Sequence, residues 1–418
     1  MSDKKIRLQV ESEVGELEGV IVHTPGSEVE NMTPGSAKRA LYSDILNLKI
    51  AGQEYKEFKG VLQKVTKTFE VRELLEDILD NTNVRNHLID KITDSCNAPA
   101  IKTYLLEKDP QVLSKVLIEG VPMEANSLTN YLDKNYFELD PLHNLFFTRD
   151  ASSAILNSAL INRMASPIRK RESLIMEAIF NYHPNFLTNT VTPENSRHFN
   201  EDIRMEGGDI LVARKDVLLI GMGSRTSSQG IDYLAKKIES REQTRHIIVQ
   251  QLPTSPESFI HLDMVFTLID KDRCVIFEPL ITKLNKYATI HLTVDNGKIT
   301  SIKEEDNILY SLKKLGMDLK PIYCGGHLTH FQEREQWHSG ANFFAFAPGK
   351  IIGYERNSHT IEALNKDGFE VLQALEVVNG KKHPKDYKKC VVTIQGSELS
   401  RGGGGARCMT MPIKRKSL

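Results

Sequence analysis

The sequence predicts an α/β fold in which small sheets repeat around a common axis. Three observations support this prediction. Hairpin-like pairs of apolar runs recur along the chain, a helical pattern follows each hairpin, and another strand-like run follows most of the helices. The repeating unit is therefore strand, strand, helix, strand. Radial repetition of such units is expected because it leaves only short, protected sheet edges.

Four hairpin patterns begin directly after a short polar side chain. They follow Asp150, Asp209, Asp263 and Asn342. Each contains a short apolar run, a polar turn and a second apolar run, which is the signature of a β-hairpin. The helical patterns that come next are Ile168–Phe180, Ser227–Ile238, Asn307–Leu315 and Thr360–Asn365. Three of these helices are followed by strand-like runs at His246–Leu252, Leu319–Tyr323 and Phe369–Leu375.

A fifth unit is divided between the two ends of the chain. Glu18–His23 is strand-like, Ser36–Leu62 is mostly helical in pattern, and Phe69–Leu74 begins as another strand. The first strand of this unit would have to come from Cys408–Ile413. Pairing of the two chain ends would then close the ring of units.

The segment between the fifth and first units has a different pattern. From Arg72 to Phe137 almost every position is compatible with a helix, and apolar residues recur at helical spacing. We therefore predict an inserted helical bundle at residues 72–137. Residues 1–71 and 138–418 would form the α/β propeller itself.

The composition excludes several classes of protein. The 418 residues carry 54 Lys and Arg against 55 Asp and Glu, so the net charge of -1 lacks the basic surplus of a nucleic-acid-binding protein. No run approaches the ~20 apolar residues that a membrane span requires. The first residues, Met1–Val10, contain no apolar segment of a signal peptide. We therefore expect no nucleic-acid partner and no membrane partner.

The cysteines indicate a reducing compartment. Their number is odd, they are widely spaced, and no Cys-x-x-Cys sequence occurs among Cys96, Cys274, Cys324, Cys390 and Cys408. This excludes a disulfide scaffold and favours the cytoplasm.

Cys408 differs from the other cysteines because a glycine-rich loop precedes it. Most cysteines are buried packing residues, and Cys408 could be one of them. The four glycines of Gly402–Gly405 favour a functional role, because packing alone does not need them. We also expect the charges of Arg401 and Arg407 to favour the thiolate.

Several acidic side chains occupy equivalent positions in the repeated units. Equivalent positions of a ring converge on its axis, so Asp150, Asp209 and Asp263 should meet Cys408 at one mouth. His261 should share a strand face with Asp263, where the two could transfer protons. Glu206 lies just before the Gly-Gly turn that leads to Asp209. A single Asp before a strand is usually a turn residue, but several at matching positions should bind a cation or a metal.

The remaining motifs give no evidence for a bound metal or dinucleotide cofactor. A loop with three histidines has neither the His-Glu-x-x-His spacing nor another zinc signature, so we interpret it as a solvated loop. Its candidate ligands would be His327, His330, Glu333, Glu335 and His338. Gly221–Gly223 lacks the remainder of a dinucleotide-binding fingerprint.

Four motifs occur in an order that resembles a known family. They are Phe147–Asp150, Met205–Asp209, His261–Asp263 and Arg407–Pro412. Together they resemble the arginine deiminase family of guanidine-modifying enzymes, and the resemblance runs from Gly15 to about Ile413. It implies a five-bladed, pseudo-symmetric α/β propeller with an inserted helical domain. It also implies hydrolysis of L-arginine to L-citrulline and ammonia, without a metal or other cofactor. We further expect a homo-oligomer, either a dimer or a tetramer.

The resemblance also implies a role for individual residues. Cys408 would be the nucleophile, His261 the general acid and then the general base, and Glu206 the hydrogen-bonded partner of the histidine. Asp150 and Asp263 would hold the guanidinium group. The other implied substrate-binding residues are Asn144, Phe147, Arg169, Asp209 and Arg225, of which the two arginines would bind the substrate α-carboxylate.

The sequence also departs from the family pattern. Ala151–Ser153 follows the first motif where the family usually has proline and then a glycine-rich turn, and Gly403 stands where some relatives have a gating arginine. These changes concern hairpin shape and loop gating. Three alternatives keep the fold and change the chemistry: agmatine deiminase, methylarginine hydrolase and amidinotransferase. A non-catalytic arginine-binding homologue is a fourth, but it would be expected to lack Cys408, His261 or Glu206.

Overall fold

Five sheets of the protein share one topology. The structure, a computed structural model, describes residues 5–40, 42, 44–132, 136–195, 200–237 and 245–418. In these residues each of the five sheets contains an antiparallel pair of strands, which is a hairpin in four of them and joins the chain ends in the fifth. One strand of each pair also pairs in parallel with a later strand. The strand, strand, helix, strand unit of the sequence is therefore confirmed, and the fold is α/β.

Each of the five units contains an antiparallel pair of strands, a helix and a parallel third strand. From the first unit to the fifth, the antiparallel pairs are Ser152–Ile155 with Ser158–Ile161, Ile210–Arg214 with Val217–Met222, Phe266–Asp270 with Arg273–Ile276, Phe344–Ala347 with Lys350–Tyr354, and Met411–Arg415 with Leu17–Val22. The helices that follow, in the same order, are Lys170–Tyr182, Ser228–Lys237, Ile308–Lys314, Ser358–Lys366 and Leu48–Val65. The parallel third strands are Asn189–Val191, Arg245–Gln251, Lys320–Tyr323, Cys390–Ile394 and Lys67–Glu70.

The predicted pairing of the chain ends is confirmed. Met411–Arg415 runs antiparallel to Leu17–Val22, which pairs in parallel with Lys67–Glu70. The predicted start of the first strand at Cys408 is wrong by three residues. Cys408 lies in the turn before the strand, so its side chain does not have to alternate with strand neighbours.

The helix of the fifth unit shows how the sequence specifies these elements. Leu48–Val65 begins after Asn47, whose side chain accepts a hydrogen bond from the backbone N–H of Ile50. Apolar residues at three- and four-residue spacing bury one face against the sheet: Ala51, Tyr55, Phe58, Val61 and Leu62. A separate helix, Pro34–Ala40, precedes it, so the mostly helical pattern predicted at 36–62 corresponds to two helices. Positions 41 and 43 of that prediction, and Ile238 in the second unit, lie outside the described residues.

Two sheets are larger than predicted. In the fourth unit the strand Cys390–Ile394 lies between Lys350–Tyr354 and Glu370–Gln373. The predicted third strand therefore forms the sheet edge, and the strand that pairs with the hairpin was missed. In the second unit a hairpin of Thr289–Asp295 and Lys298–Glu305 extends the sheet.

The predicted insert is mostly helical where it is described. Two of its helices, Val71–Leu79 and Thr82–Ser95, pack on Lys170–Tyr182 of the first unit, and these three helices contribute to one hydrophobic core. Five helices lie in the described part of the insert. They are Val71–Leu79, Thr82–Ser95, Lys102–Leu106, Pro110–Glu119 and Leu128–Leu132. Short paired strands, Val121–Pro122 and Phe137–Leu139, close the segment. Positions 133–135 lie outside the described residues, and the domain boundaries at 72 and 137 stay a prediction.

Short elements connect these units. The remaining helices and strands are Ile6–Arg7, Ser27–Glu30, Phe186–Leu187, Glu278–Ile281, Thr329–Trp337 and Ala374–Val378. Single 3-10 turns lie at Pro99–Ile101, Pro167–Arg169, Pro193–Asn195, Gly207–Asp209, Glu257–Phe259, Leu262–Met264, Pro384–Asp386 and Leu399–Gly402. None of the helices in the described part of the chain is both long and apolar enough to cross a membrane.

Candidate active site

The polar residues before the hairpins converge in one buried cluster. Asp150, Asp209, Asp263 and Asn342 are each at most 3% exposed, although charged residues are rarely buried without a partner. Hydrogen bonds or contacts below 4 Å link these side chains to the turns around His261 and Cys408. The predicted convergence is therefore present. The predicted strand position of His261 and Asp263 is wrong, because a 3-10 turn, Leu262–Met264, carries the chain there.

The Cys408 thiol lies between a carboxylate and an amide. Its Sγ atom is 3.7 and 3.9 Å from the carboxylate oxygens of Asp263 and accepts a 3.2 Å hydrogen bond from Nδ2 of Asn342. Burial raises the pKa of the thiol well above its ordinary value, and the charges of Asp263 and Asp150 raise it further. As expected, the charge of Arg407 favours the thiolate, but it lowers the pKa of Cys408 by less than burial and the two carboxylates raise it.

Arg401, the other arginine that was expected to favour the Cys408 thiolate, lies outside the buried cluster. The guanidinium group of Arg401 pairs with Asp44 and with Glu398, and its side chain is 41% exposed. Arg401 therefore helps to fix the glycine-rich loop at the protein surface.

His261 is held as a cation by two carboxylates. Its Nε2 atom is 2.9 Å from Oε2 of Glu206, and its Nδ1 atom is 3.7 Å from Oδ1 of Asp150. Burial opposes the charge on the ring, but Asp150 and Glu206 outweigh burial and raise the pKa of His261 to about 9. Gly208 is needed beside it, since a Cβ atom there would be 2.4 Å from the imidazole ring.

Glu206 is a fully buried carboxylate with several cationic neighbours. Burial alone would raise its pKa, but Arg225 and His261 lower the pKa of Glu206 well below its ordinary range. It also accepts a 3.0 Å hydrogen bond from the backbone N–H of Ala165. Glu206 is therefore an anion that fixes and charges the imidazole ring of His261.

Asp150 and Asp263 each bind an internal arginine. Oδ2 of Asp150 accepts a 2.8 Å hydrogen bond from Arg169, and Oδ2 of Asp263 accepts one of the same length from Arg407. The cations that these carboxylates were expected to bind are, in this structure, arginine side chains of the protein itself. Oδ1 of Asp150 is buried and accepts no hydrogen bond from the described residues.

The two arginines that the resemblance assigns to the substrate carboxylate are both buried. Arg169 forms three hydrogen bonds of 2.8 to 3.2 Å with Glu172, in addition to its bond with Asp150. Arg225 lies 3.5 Å from Oε1 of Glu206. A ligand carboxylate at Arg169 would have to compete with these partners, whereas the contact of Arg225 with Glu206 is a long one. Their assigned role stays a prediction.

The remaining predicted positions lie around this cluster. Asp209 accepts a 2.9 Å hydrogen bond from the backbone N–H of Leu262, and burial raises the pKa of Asp209 to about 7. It joins the second hairpin to the third. Phe147 packs on Gly404, where a Cβ atom would be 2.5 Å from the phenylalanine ring. Asn144 lies one turn before Phe147 and is 9% exposed.

Two residues of the cluster were not found from the sequence. Glu13 binds the guanidinium group of Arg407, and the side chain of Asn342 contacts Cys408. The signal for Asn342 was present, because it precedes the fourth hairpin as Asp150 precedes the first. A lone glutamate in an N-terminal loop gives no such signal.

Metal-binding geometry occurs at one place in the described residues. Atoms of Asp150, Glu206 and His261 lie within 4.8 Å of one another. This set fits a metal poorly, because Arg169 already lies 2.8 Å from Asp150 and 3.9 Å from Glu206. A histidine whose pKa is about 9 is also protonated rather than free to coordinate.

The histidine-rich segment near residue 330 is not the loop that we expected. It contains the helix Thr329–Trp337. His338 contacts Arg356, and Glu335 accepts hydrogen bonds from the backbone of His359 and Thr360. These partners give Glu335 and His338 structural roles outside the buried cluster.

The fold is shared with two solved enzymes. One is SxtG, an amidinotransferase from Microseira wollei, with a TM-score of 0.54, 13% identity and 98% of each chain covered. The other is the N-terminal domain of ArgZ, an arginine dihydrolase from cyanobacteria, with a TM-score of 0.52, 13% identity, and 96% of this chain and 99% of that chain covered. At this identity the likeness defines the class of fold alone.

Sequence comparison defines the family. A family model described as arginine deiminase matches residues 38–415. Arginine deiminase of Bacillus cereus strain B4264 is 33% identical over 430 residues, and that of Streptococcus pneumoniae strain CGSP14 is 32% identical over 430 residues. Both alignments cover 98% of this chain and 99% of the relative. The chain therefore belongs to the arginine deiminase family.

Proposed function

We propose that this protein hydrolyses L-arginine to L-citrulline and ammonia through a covalent intermediate on Cys408, and that it serves arginine catabolism. One observation carries the proposal: the thiol of Cys408 and the imidazolium of His261 are buried beside neighbouring carboxylates. Such a site suits a small planar cation that must meet both a nucleophile and a proton donor. A cytoplasmic location and a homo-oligomeric state stay predictions.

The substrate guanidinium would bind between Asp150 and Asp263. Carboxylates in the plane of a guanidinium form charge-assisted hydrogen bonds, and Oδ1 of Asp150 has no donor in the described residues. The bound cation would also change the thiol. A positive charge next to Cys408 opposes the burial and carboxylate charges that raise its pKa, so substrate binding would promote release of the thiol proton to solvent.

In the first half-reaction the thiolate attacks the guanidinium carbon. A C–S bond forms, and an electron pair of the C–N π system moves onto nitrogen. His261, whose pKa of about 9 keeps it protonated at neutral pH, donates a proton to the leaving nitrogen. The C–N bond breaks, ammonia departs, and a thiouronium intermediate remains on Cys408.

In the second half-reaction neutral His261 accepts a proton from water. The resulting hydroxide adds to the thiouronium carbon, and the C–S bond then breaks with its electron pair returning to sulfur. Loss of one proton from the product gives citrulline. Glu206 holds the imidazole in place during both proton transfers. These steps balance without a redox change.

A substrate panel tests this proposal against the other guanidine-modifying activities. Purified protein should release citrulline and ammonia from L-arginine and form little product from agmatine or dimethylarginine. This pattern would identify L-arginine as the substrate. Added glycine should not alter the products. Preferred turnover of agmatine or dimethylarginine would assign a different hydrolase, and transfer of the amidino group to glycine would assign an amidinotransferase.

A further inference from the structure

Asn342 occupies a special position in the repeat. It lies just before the fourth hairpin, Phe344–Ala347 with Lys350–Tyr354, with one residue between them, as Asp150 does before the first. Its side chain is 2% exposed. The fourth unit therefore contributes a neutral amide to the cluster, where other units contribute a carboxylate.

The side-chain amide of Asn342 forms hydrogen bonds with the turn that contains Cys408. Its Oδ1 atom accepts hydrogen bonds from the backbone N–H groups of Arg407 at 2.9 Å and Cys408 at 3.3 Å. Its Nδ2 atom donates to the backbone oxygen of Asp263 at 3.1 Å and to Sγ of Cys408 at 3.2 Å. Exchange of the oxygen and nitrogen would place donor against donor and acceptor against acceptor. The orientation that presents an N–H to the sulfur is therefore fixed.

The glycine-rich loop makes room for this contact. A Cβ atom on Gly405 would lie 2.7 Å from both Cβ and Oδ1 of Asn342. Real side chains essentially never approach so closely, so a larger residue at position 405 would displace the amide. At least one of the four glycines is thus explained by close approach of Asn342.

The charged groups around Sγ of Cys408 oppose the thiolate overall, so a hydrogen-bond donor at the sulfur would stabilise it. Asp263 and Asp150 oppose negative charge on Cys408, and Tyr354 lies near enough for its own pKa to respond to the thiolate. Arg407 and the backbone of Gly405 favour the thiolate. The Arg407 guanidinium, however, is bonded to Asp263 and Glu13 and makes no hydrogen bond to Sγ among the described residues.

We propose that Asn342 is a further catalytic residue, whose side-chain amide donates a hydrogen bond to the Cys408 thiolate. The proposal rests on the proposed arginine deiminase reaction. In the first half-reaction this bond would stabilise and orient the thiolate before the C–S bond forms. In the second it would stabilise the same thiolate as a leaving group when the C–S bond breaks and the electron pair returns to sulfur.

The variant Asn342→Asp separates this role from packing. It keeps an oxygen acceptor for the backbone N–H groups of Arg407 and Cys408 but replaces the N–H donor at sulfur. A hydrogen bond to a charged group is worth about one to two pKa units. We therefore expect the pH midpoint for alkylation of Cys408 by iodoacetamide to rise by at least that amount, because the added carboxylate also opposes the negative charge on sulfur. The rate of citrulline formation at neutral pH should fall about 10- to 100-fold.

The experiment monitors the Cys408 peptide by mass spectrometry, because Cys96 is exposed and will also react. Asn342→Ala, which removes the donor without adding charge, should shift the midpoint in the same direction by less. Asn357→Asp is the matched control. Asn357 is 1% exposed, belongs to the same unit and donates to the backbone oxygen of His338, so its variant should leave the midpoint unchanged.

The outcomes separate this inference from the proposed function. An unchanged alkylation midpoint in folded Asn342→Asp or Asn342→Ala protein would overturn the role of Asn342, whatever the activity. The alkylation profile requires no turnover. Wild-type protein that produces no citrulline would instead overturn the proposed function, while the Asn342 bond could still be measured through the thiol.

Discussion

Arg407 donates a 2.8 Å hydrogen bond to Asp263, and both side chains are almost completely buried. The same guanidinium group bonds to both carboxylate oxygens of Glu13. Burial alone would raise the pKa of Glu13, but Arg407 lowers it to about 2. Glu13 is therefore an anion that neutralises the charge of Arg407 and links the N-terminal segment to the turn that contains Cys408.

Replacement of Glu13 tests this buried network. Glu13→Gln should reduce the free energy of unfolding by about 3–5 kcal/mol, because it leaves the buried charge of Arg407 without one of its partners. The matched control is Glu16→Gln, which removes an exposed ion pair with Lys416 and should have a much smaller effect because solvent screens that pair. Urea unfolding followed by circular dichroism measures both. Equal effects would show that Arg407 does not depend on Glu13.

The pH dependence of stability should reveal the charge on His261. Its pKa of about 9 in the folded protein exceeds the ordinary value of 6.5, so the folded state binds the proton more tightly. This contribution is fully present below about pH 6.5 and is lost as the pH rises through 9. We expect the wild type to lose more unfolding free energy than His261→Gln between those pH values. Parallel curves for the two proteins would contradict the raised pKa.

Two glycines of one helix should respond oppositely to alanine. Both lie in Leu48–Val65, but a Cβ atom on Gly52 meets nothing within 4 Å, whereas one on Gly60 would lie 2.8 Å from Val378. Gly52→Ala should stabilise the protein by about 0.5–1 kcal/mol through helix propensity. Gly60→Ala should instead be destabilising by about 1–3 kcal/mol, because it overpacks the contact. Thermal unfolding of both variants provides the comparison, and stabilisation by both would refute the predicted contact at Gly60.

Local patterns explain why much of the fold could be predicted. The hairpins are adjacent in sequence, and their apolar runs, turns and preceding polar residues all lie within short windows. The third strand of the fourth sheet was predicted wrongly because two apolar runs, Glu370–Gln373 and Cys390–Ile394, could each pair with the second strand of the hairpin. Only tertiary packing decides which one pairs with Lys350–Tyr354. The hairpin after Thr289 alternates polar and apolar residues and turns at Asn296–Gly297, a strong hairpin signal that was overlooked.

The positions of the site residues were easier to predict than their partners. Equivalent places in a repeat are visible in the sequence, so the convergence of Asp150, Asp263 and Cys408 could be expected. Pairing between distant charges is not visible in the same way. Nothing in the sequence indicates that Glu13 meets Arg407, or that Arg407 would therefore fail to offset the burial of the thiol.

A citrulline assay on purified wild-type and Cys408→Ser protein tests the central claim most directly. The wild type should convert L-arginine to citrulline with one ammonia released for each citrulline. Cys408→Ser should form no citrulline, because a serine hydroxyl is a much weaker nucleophile, yet it should still bind L-arginine in calorimetry. Absence of citrulline from the wild type, or retained turnover by Cys408→Ser, would contradict the proposed reaction.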